Sequence, residues 1–390
     1  MKFPLITVFV FLFGCTIFGQ TAVTQPSTSP AQKMSVQEGD EFFPYFYLSE
    51  AFPLVTDEAK AKGQIEKYTR LIAKNAKNVI VAYNNRAVIY LEIGKPDLAL
   101  ADFEKALSLK PDDISILLNN QGYAFLNGGH LDEALTNFNK CLEIKPNDIY
   151  ALSNRADLYR QINQIGLALI DINKAIDVDP KQALLLNNRG MLYLSMGNLD
   201  FSTRDLESAI EVNPKLEIAY SNLGYIYNLH GDFQKSVNTL DKAISLNPKS
   251  AMAYTNRGLS YYRLNKPNLS LSDFNRAIEL DPKLARAYNN RASIYVDRKD
   301  FAAGKKDIDK AIELDPNDPY SYNTRGNVYM NIEQWNLAIA DYTKALEIHP
   351  KLIMCYQSRA IAYEELGDKA KAASDRKKFM EMGGTDQNRE

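Results

Sequence analysis

The stretch that decides the fold runs over residues 83–111, YNNRAVIYLEIGKPDLALADFEKALSLKP, and it returns at 288–316 as YNNRASIYVDRKDFAAGKKDIDKAIELDP. Both copies end on a proline, and the prolines carry the period through the chain. Pro111, Pro146, Pro180, Pro214, Pro248, Pro282, Pro316 and Pro350 are spaced by 35 and then six times by 34 residues. A fixed period in this range is the mark of a repeat array, in which each unit leans on its neighbours instead of on a central core. Counting Ile80 as place 1 gives nine repeats ending near Gly384, preceded by a partial repeat over 46–79.

Each repeat predicts two helices. In the first, places 4, 7, 8 and 11 fall on one helical stripe. Place 11 is aromatic in all nine repeats, from Tyr90 and Phe125 to Tyr363, and place 8 is only Gly or Ala, so that helix backbones approach closely there. The second helix carries small residues such as Ala99, Ala134 and Ala168, then Phe103, Phe138 and Phe274, then Ala106, Ala175 and Ala209. Gly94, Gly129, Gly197, Gly231 and Gly367 mark turns within repeats, and the prolines, which cannot continue a helix interior, mark turns between them. Gly304 stands where other repeats carry a helix former.

Small–aromatic–small–Phe–Ala–Pro on a 34-residue period resembles the tetratricopeptide repeat family over residues 80–384. The resemblance implies an all-α fold of about nine antiparallel helix pairs stacked into a right-handed superhelix, with a concave groove lined by the first helices. The ends read as caps. The partial repeat places Ile65 and Ile72 where inner repeats carry small residues and Lys77 where they carry proline; the last repeat has Arg376 and Phe379 at core places.

The polar triplet Asn-Asn-Arg divides by face. Place 7, at the edge of the packed stripe, reads Arg86, Gln121, Arg155, Arg189, Leu223, Arg257, Arg291, Arg325 and Arg359. Sixteen residues later stand Asp102, Asn137, Asp171, Asp205, Thr239, Asp273, Asp307, Asp341 and Asp375. Every Arg has an Asp, the Gln has Asn and the Leu has Thr, which predicts structural ion pairs within each repeat. Place 6 is Asn85, Asn120, Asn154, Asn188, Asn222, Asn256 and Asn290, and place 5 adds Asn84, Asn119, Asn187, Asn289 and Asn323. On a helix wheel these point away from the packed stripe. Asparagine is unfavourable inside helices, so two roles are open. The ladder resembles that of O-linked N-acetylglucosamine transferases, which implies contact with the backbone of an extended peptide, with Tyr150 and Tyr225 beside it. Alternatively the carboxamides bond to neighbouring helices and set the pitch.

At 390 residues, with 45% apolar and 24% charged residues and a net charge of −2, the chain is foldable and has no electrostatic footprint for nucleic acid. Residues 1–19 read as an export signal, MKFPLITVFVFLFGCTIFG. Cleavage after Gly19, lipidation of Cys15 within LFGC, and retention as an anchor are all open. Residues 20–45 combine a Thr-, Ser-, Pro- and Gln-rich linker with the start of an aromatic cluster, EFFPYFYLSEAF at 41–52, and 385–390 form a tail. His130, His230 and His349 lie in three different repeats, and no metal-ligand spacing, phosphate loop or catalytic constellation is evident, so neither catalytic residue, cofactor nor metal is expected. The expected function is that of an exported, non-enzymatic scaffold holding an extended protein segment. The alternatives are an envelope assembly or lipoprotein factor, and the non-catalytic arm of a transferase complex.

Overall fold

The computed structural model describes residues 58–75 and 78–384. The export segment with Cys15, the linker, the aromatic cluster, Lys77 and the tail lie outside the described residues. Among the described residues the elements are helices and turns, and the fold class is an all-α solenoid of about nine helix pairs. The chain divides into two compact bodies, one ending at Ile226 and the other beginning at Tyr227.

The first body contains α1 (Glu58–Ala73), α2 (Val79–Glu92), α3 (Pro96–Ser108), α4 (Ser115–Asn127), α5 (Leu131–Ile144), α6 (Ile149–Gln161), α7 (Ile165–Val178), α8 (Ala183–Ser195) and α9 (Leu199–Val212). The division falls inside α10 (Glu217–His230). The second body continues with α11 (Phe233–Leu246), α12 (Ala251–Arg263), α13 (Pro267–Leu280), α14 (Ala285–Asp297), α15 (Phe301–Leu314), α16 (Pro319–Asn331), α17 (Trp335–Ile348), α18 (Ile353–Glu365) and α19 (Lys369–Glu381). In each body the first helix of a repeat packs on its second, and that second helix packs on the next first helix.

The close approach at place 8 is an aromatic ring laid on a helix backbone. A Cβ added to Gly122 would meet the Phe138 ring at 2.8 Å, one on Gly258 the Phe274 ring at 2.7 Å, and one on Gly326 the Tyr342 ring at 2.6 Å. Phe138, Phe274 and Tyr342 are fully buried by this contact.

The turn within each repeat needs a left-handed residue at place 15, as helices commonly end on one. Gly94, Gly129, Gly197, Gly231 and Gly367 supply it at φ of 70–84°. Asn163, Asn265, Lys299 and Glu333 hold the same place at φ of 59, 55, 61 and 60°. Nothing in Lys299 or Glu333 as residue types announces this; the period alone assigns them. Between repeats, the Asp or Asn before the proline closes an Asx turn: Asp179, Asn213, Asn247, Asp281 and Asp315 accept the N–H two residues on at 2.9–3.1 Å.

At the ends, Ile65 and Ile72 of α1 pack with Ala82 and Ile89 of α2. In the last repeat Arg376 takes the place of the buried ring and bonds Glu364 at 2.7 Å, while Met380 stays exposed.

Candidate functional site

The arginines form clasps. Arg155 Nε donates to Asp171 Oδ2 and its Nη2 to Asp171 Oδ1, both at 2.7 Å. The same bidentate fork joins Arg86 to Asp102, Arg189 to Asp205, Arg257 to Asp273, Arg291 to Asp307, Arg325 to Asp341 and Arg359 to Asp375, at 2.6–2.8 Å. Two parallel charge-assisted bonds are the strong form of this contact. The sequence pairing did not reveal the third bond. Each Nη1 reaches back to the second helix of the preceding repeat: Arg155 to Asn139, Arg189 to Asn173, Arg257 to Asp241, Arg291 to Asn275, Arg325 to Asp309 and Arg359 to Thr343. One side chain therefore staples its own helix pair and ties it to its neighbour.

These guanidiniums are largely buried, and place-11 tyrosines lie against them, Tyr159 at 5.7 Å from Arg155 and Tyr261 at 5.7 Å from Arg257. At Arg86 the bonds it donates to Asp102 hold the guanidinium above its ordinary pKa against the opposing effect of burial. At Arg257 burial works against the charge, but the bonds to Asp273 and Asp241 outweigh it and again raise the pKa.

The asparagines differ from the helix-wheel expectation. Asn84, Asn85, Asn119 and Asn120 are fully buried, Asn154, Asn187, Asn256, Asn289 and Asn290 are buried, and Asn188 and Asn222 half-buried. The wheel treats a helix with one packed stripe, whereas each of these first helices also meets the first helices of adjacent repeats. Across that seam the carboxamides bond in order. Asn120 Nδ2 donates to Asn84 Oδ1, Asn154 Nδ2 to Asn119 Oδ1 and Asn222 Nδ2 to Asn187 Oδ1, each at 2.9 Å. Within repeats Asn84, Asn119 and Asn187 donate to Asn85, Asn120 and Asn188 at 3.0–3.3 Å. A carboxamide can continue such a chain because it both donates and accepts. Ser153 substitutes as a weaker acceptor for Asn188 at 3.4 Å, and Asn85 closes the N-terminal end on the Tyr68 hydroxyl at 3.4 Å.

In the second body the chain is interrupted. Place 5 of the sixth repeat is Thr255, whose hydroxyl donates to the Ala251 carbonyl at 2.9 Å, and place 6 of the eighth is Thr324. Between them Asn289 Oδ1 and Asn290 Nδ2 are buried without a hydrogen-bond partner. Asn323 Oδ1 accepts from the Cys355 thiol at 3.1 Å.

Beside the ladder, places 2 and 9 form the remaining first-helix surface. In the first body Val81, Tyr123, Tyr150, Leu184, Met191 and Tyr225 are half-buried there. The one acid among them, Asp157, accepts from Arg160 at 2.6 Å and from Gln161 at 2.8 Å. Among the described residues no cluster of three His, Cys, Asp or Glu is placed to hold a metal ion, and no helix is long and apolar enough to cross a membrane. Cys141 and Cys355 are buried, which pushes both thiols up to about 12.

Paired helices on a fixed period, stapled side by side, define a helical repeat solenoid. Family comparison agrees. A tetratricopeptide repeat profile matches residues 80–113, 251–284 and 319–352, a second matches 116–148, 149–182, 183–216 and 285–318, and a TPR repeat profile matches 224–265. The chain belongs to the tetratricopeptide repeat family, whose members bind other proteins. No curated protein matches its sequence. Among solved structures it is similar to a tetratricopeptide repeat protein from Parabacteroides merdae, 22% identical with TM-score 0.51 over 67% of this chain and 99% of that one. It is also similar to the APC/C hetero-tetramer Cut9-Hcn1, 14% identical with TM-score 0.63 over 84% of this chain and 65% of that one. Human IFIT1, solved as a dimer with PPP-AAAA, is 17% identical with TM-score 0.55 over 84% and 88%. At these identities the structures share the fold.

Proposed function

We propose that this chain is an exported, non-catalytic scaffold that holds an extended, uncharged segment of another protein along its first helices. The observation that carries the reading is the surface at places 2 and 9 of the first five repeats: Val88 and Ile116 are buried, and of the eight half-buried residues there seven are apolar or aromatic and Asp157 is the exception. The asparagine ladder is its floor, and with the carboxamides occupied by one another, contact falls to Tyr123, Tyr150, Met191 and Tyr225. Export rests on residues 1–19, followed by a linker long enough to hold the repeats away from a membrane. Lipidation of Cys15 would anchor the same scaffold at the envelope.

A second reading places the partner on the second helices. It is favoured by exposed Leu167, Phe201 and Ile170, the last of which is 63% exposed. Capture from envelope extract separates the two. Native protein and a Tyr150→Ser/Met191→Ser variant of equal helical melt are compared with Leu167→Ser/Ile170→Ser. Loss of the captured protein with the first variant alone supports the first-helix surface; loss with the second alone overturns it.

A further inference from the structure

Resting on that reading of the first-helix surface, we infer that the segment it holds is proline-rich and crosses the first helices of the first body as a polyproline II helix. Every ordinary residue of an extended chain brings one N–H and one carbonyl, and burying them without partners is costly. The floor of this surface has few bonds to give. Asn84, Asn85, Asn119, Asn120, Asn154 and Asn187 are at most 3% exposed, and their bonds run within the ladder or to Tyr68. The half-buried Asn188 and Asn222 donate to Ser153 and Asn187. Ser195 donates to the Met191 carbonyl at 3.1 Å, and Asp157, the acid at place 9 of the third repeat, is neutralised by Arg160 at 2.6 Å. The surface therefore favours an uncharged ligand with few donors of its own. Proline has no N–H, and a polyproline II chain makes no internal hydrogen bonds and keeps its backbone solvated.

Rings and spacing agree with this class of ligand. Tyr123 on α4, Tyr150 on α6 and Tyr225 on α10 are half-buried, with Leu184 and Met191 on α8 between the last two. Aromatic faces of this kind are what pyrrolidine rings pack against when a preformed polyproline II segment docks. Successive first helices of this body touch through their carboxamides at 2.9 Å, so their axes lie at the ordinary packing distance of about 8–10 Å. A polyproline II helix has three residues per turn at about 3.1 Å each, so one edge of it returns every ~9 Å. That is once per first helix. A β-strand returns the same face about every 6.6–6.8 Å and falls out of step after one crossing. The matching segment thus carries an apolar side chain at every third place, with proline at the places between.

The test titrates the purified full chain with three labelled, uncharged peptides of equal length. The first is Leu-Pro-Pro repeated four times. The second is Leu-Ala-Ala repeated four times, which keeps the period but restores the N–H groups and removes the polyproline II bias. The third has the composition of the first with its leucines placed together, which breaks the period. The first should bind about tenfold or more tighter than either of the others, because it arrives preorganised and leaves no proline donor unpaired. Its affinity should fall about tenfold or more in Tyr150→Ser/Met191→Ser of equal helical melt and stay unchanged in Leu167→Ser/Ile170→Ser. No binding by the first peptide, or equal binding by the second or the third, would overturn the inference. The two readings fail separately. Either of those results, with partner capture still lost in Tyr150→Ser/Met191→Ser, would remove the proline-rich class and leave the partner surface standing. Peptide binding and partner capture both lost only in Leu167→Ser/Ile170→Ser would overturn the first-helix reading as well.

Discussion

Replacing Arg257 by Leu tests the clasp, and the protein itself supplies the control. Arg257 is 18% exposed and Asp273 6% exposed in their side chains. The guanidinium donates to Asp273 at 2.7 and 2.8 Å and to Asp241 at 2.6 Å. Arg257→Leu removes all three bonds and leaves the Asp273 carboxylate buried and unpaired. Breaking a buried pair from one side costs about 3–5 kcal/mol, whereas a solvated pair is worth about 0–1. The exposure of these groups places the loss near the lower end of the buried range, about 3 kcal/mol. Removing both charges is far milder, because no ion is then left desolvated. The fifth repeat already carries that combination at the same two places, Leu223 and Thr239. Arg257→Leu/Asp273→Thr should therefore recover most of the loss, giving a coupling energy of about 2 kcal/mol. Thermal denaturation by circular dichroism gives the order of stabilities. Hydrogen exchange in α12 and α13 gives the local free energies, since repeat arrays need not unfold in one step. A single-variant loss below about 1 kcal/mol, or a double variant no better than the single, would refute the clasp as a buried pair.

The turn and packing readings make opposite demands on glycine. Gly258→Ala should destabilise despite the better helix former, by about 1–2 kcal/mol, because the new methyl falls 2.7 Å from the Phe274 ring, which is 1% exposed. Gly304→Ala should stabilise by up to about 1 kcal/mol, since its Cβ comes closest to the Val296 methyl, at 3.2 Å on the half-buried edge of α14, and meets the Ala292 carbonyl oxygen and Tyr295 Cβ only at ordinary contact distances of 3.4 and 3.7 Å; a melt shifted in the same direction for both would contradict this account. Glu333→Gly should raise stability by about 1 kcal/mol through relief of its left-handed backbone at φ 60°, read in the same melts. Thr255→Asn should give Asn290 Nδ2 the acceptor that Asn84 gives Asn120, adding about 1 kcal/mol and slowing exchange in α14; no gain would mean that the ladder does not set helix spacing there. With both thiols pushed up to about 12 by burial, the folded state prefers them protonated, so their contribution is complete below the ordinary thiol pKa of about 8.5 and is lost as pH rises towards 12. Disulfide reagents at pH near 8 should leave Cys141 and Cys355 unlabelled until urea is added, and labelling of native protein would show that the repeats open.

Much of this architecture was legible before any coordinates. Place 11 aromatics, place 8 Gly or Ala and the proline period are properties of single helices and of one helix pair, and they recur often enough to be read one repeat against another. The Arg–Asp spacing of sixteen residues belongs to that class, because both partners lie inside one repeat and substitute together: Gln121 with Asn137, Leu223 with Thr239. The asparagines were legible as a ladder, but their burial was not. A helix wheel shows one packed stripe and is silent on how close neighbouring first helices come. The diagonal pattern, Asn at place 5 followed by Asn at place 6 one repeat later, is the signal that marks the seam: Asn84 with Asn120, Asn119 with Asn154, Asn187 with Asn222.

What the sequence by itself determined is the repeat: its length, its two helices, its matched charges and the proline at its end. Each is set by contacts a few turns apart, where spacing and residue type suffice. Only the tertiary structure decided how one repeat meets the next. The third bond of each arginine and the exchange of carboxamides between first helices depend on the distance and rotation between adjacent helix pairs. That geometry is set by contacts between one repeat and the next, such as Asn120 with Asn84 and Arg155 with Asn139, and a periodicity of residue types carries no measure of it.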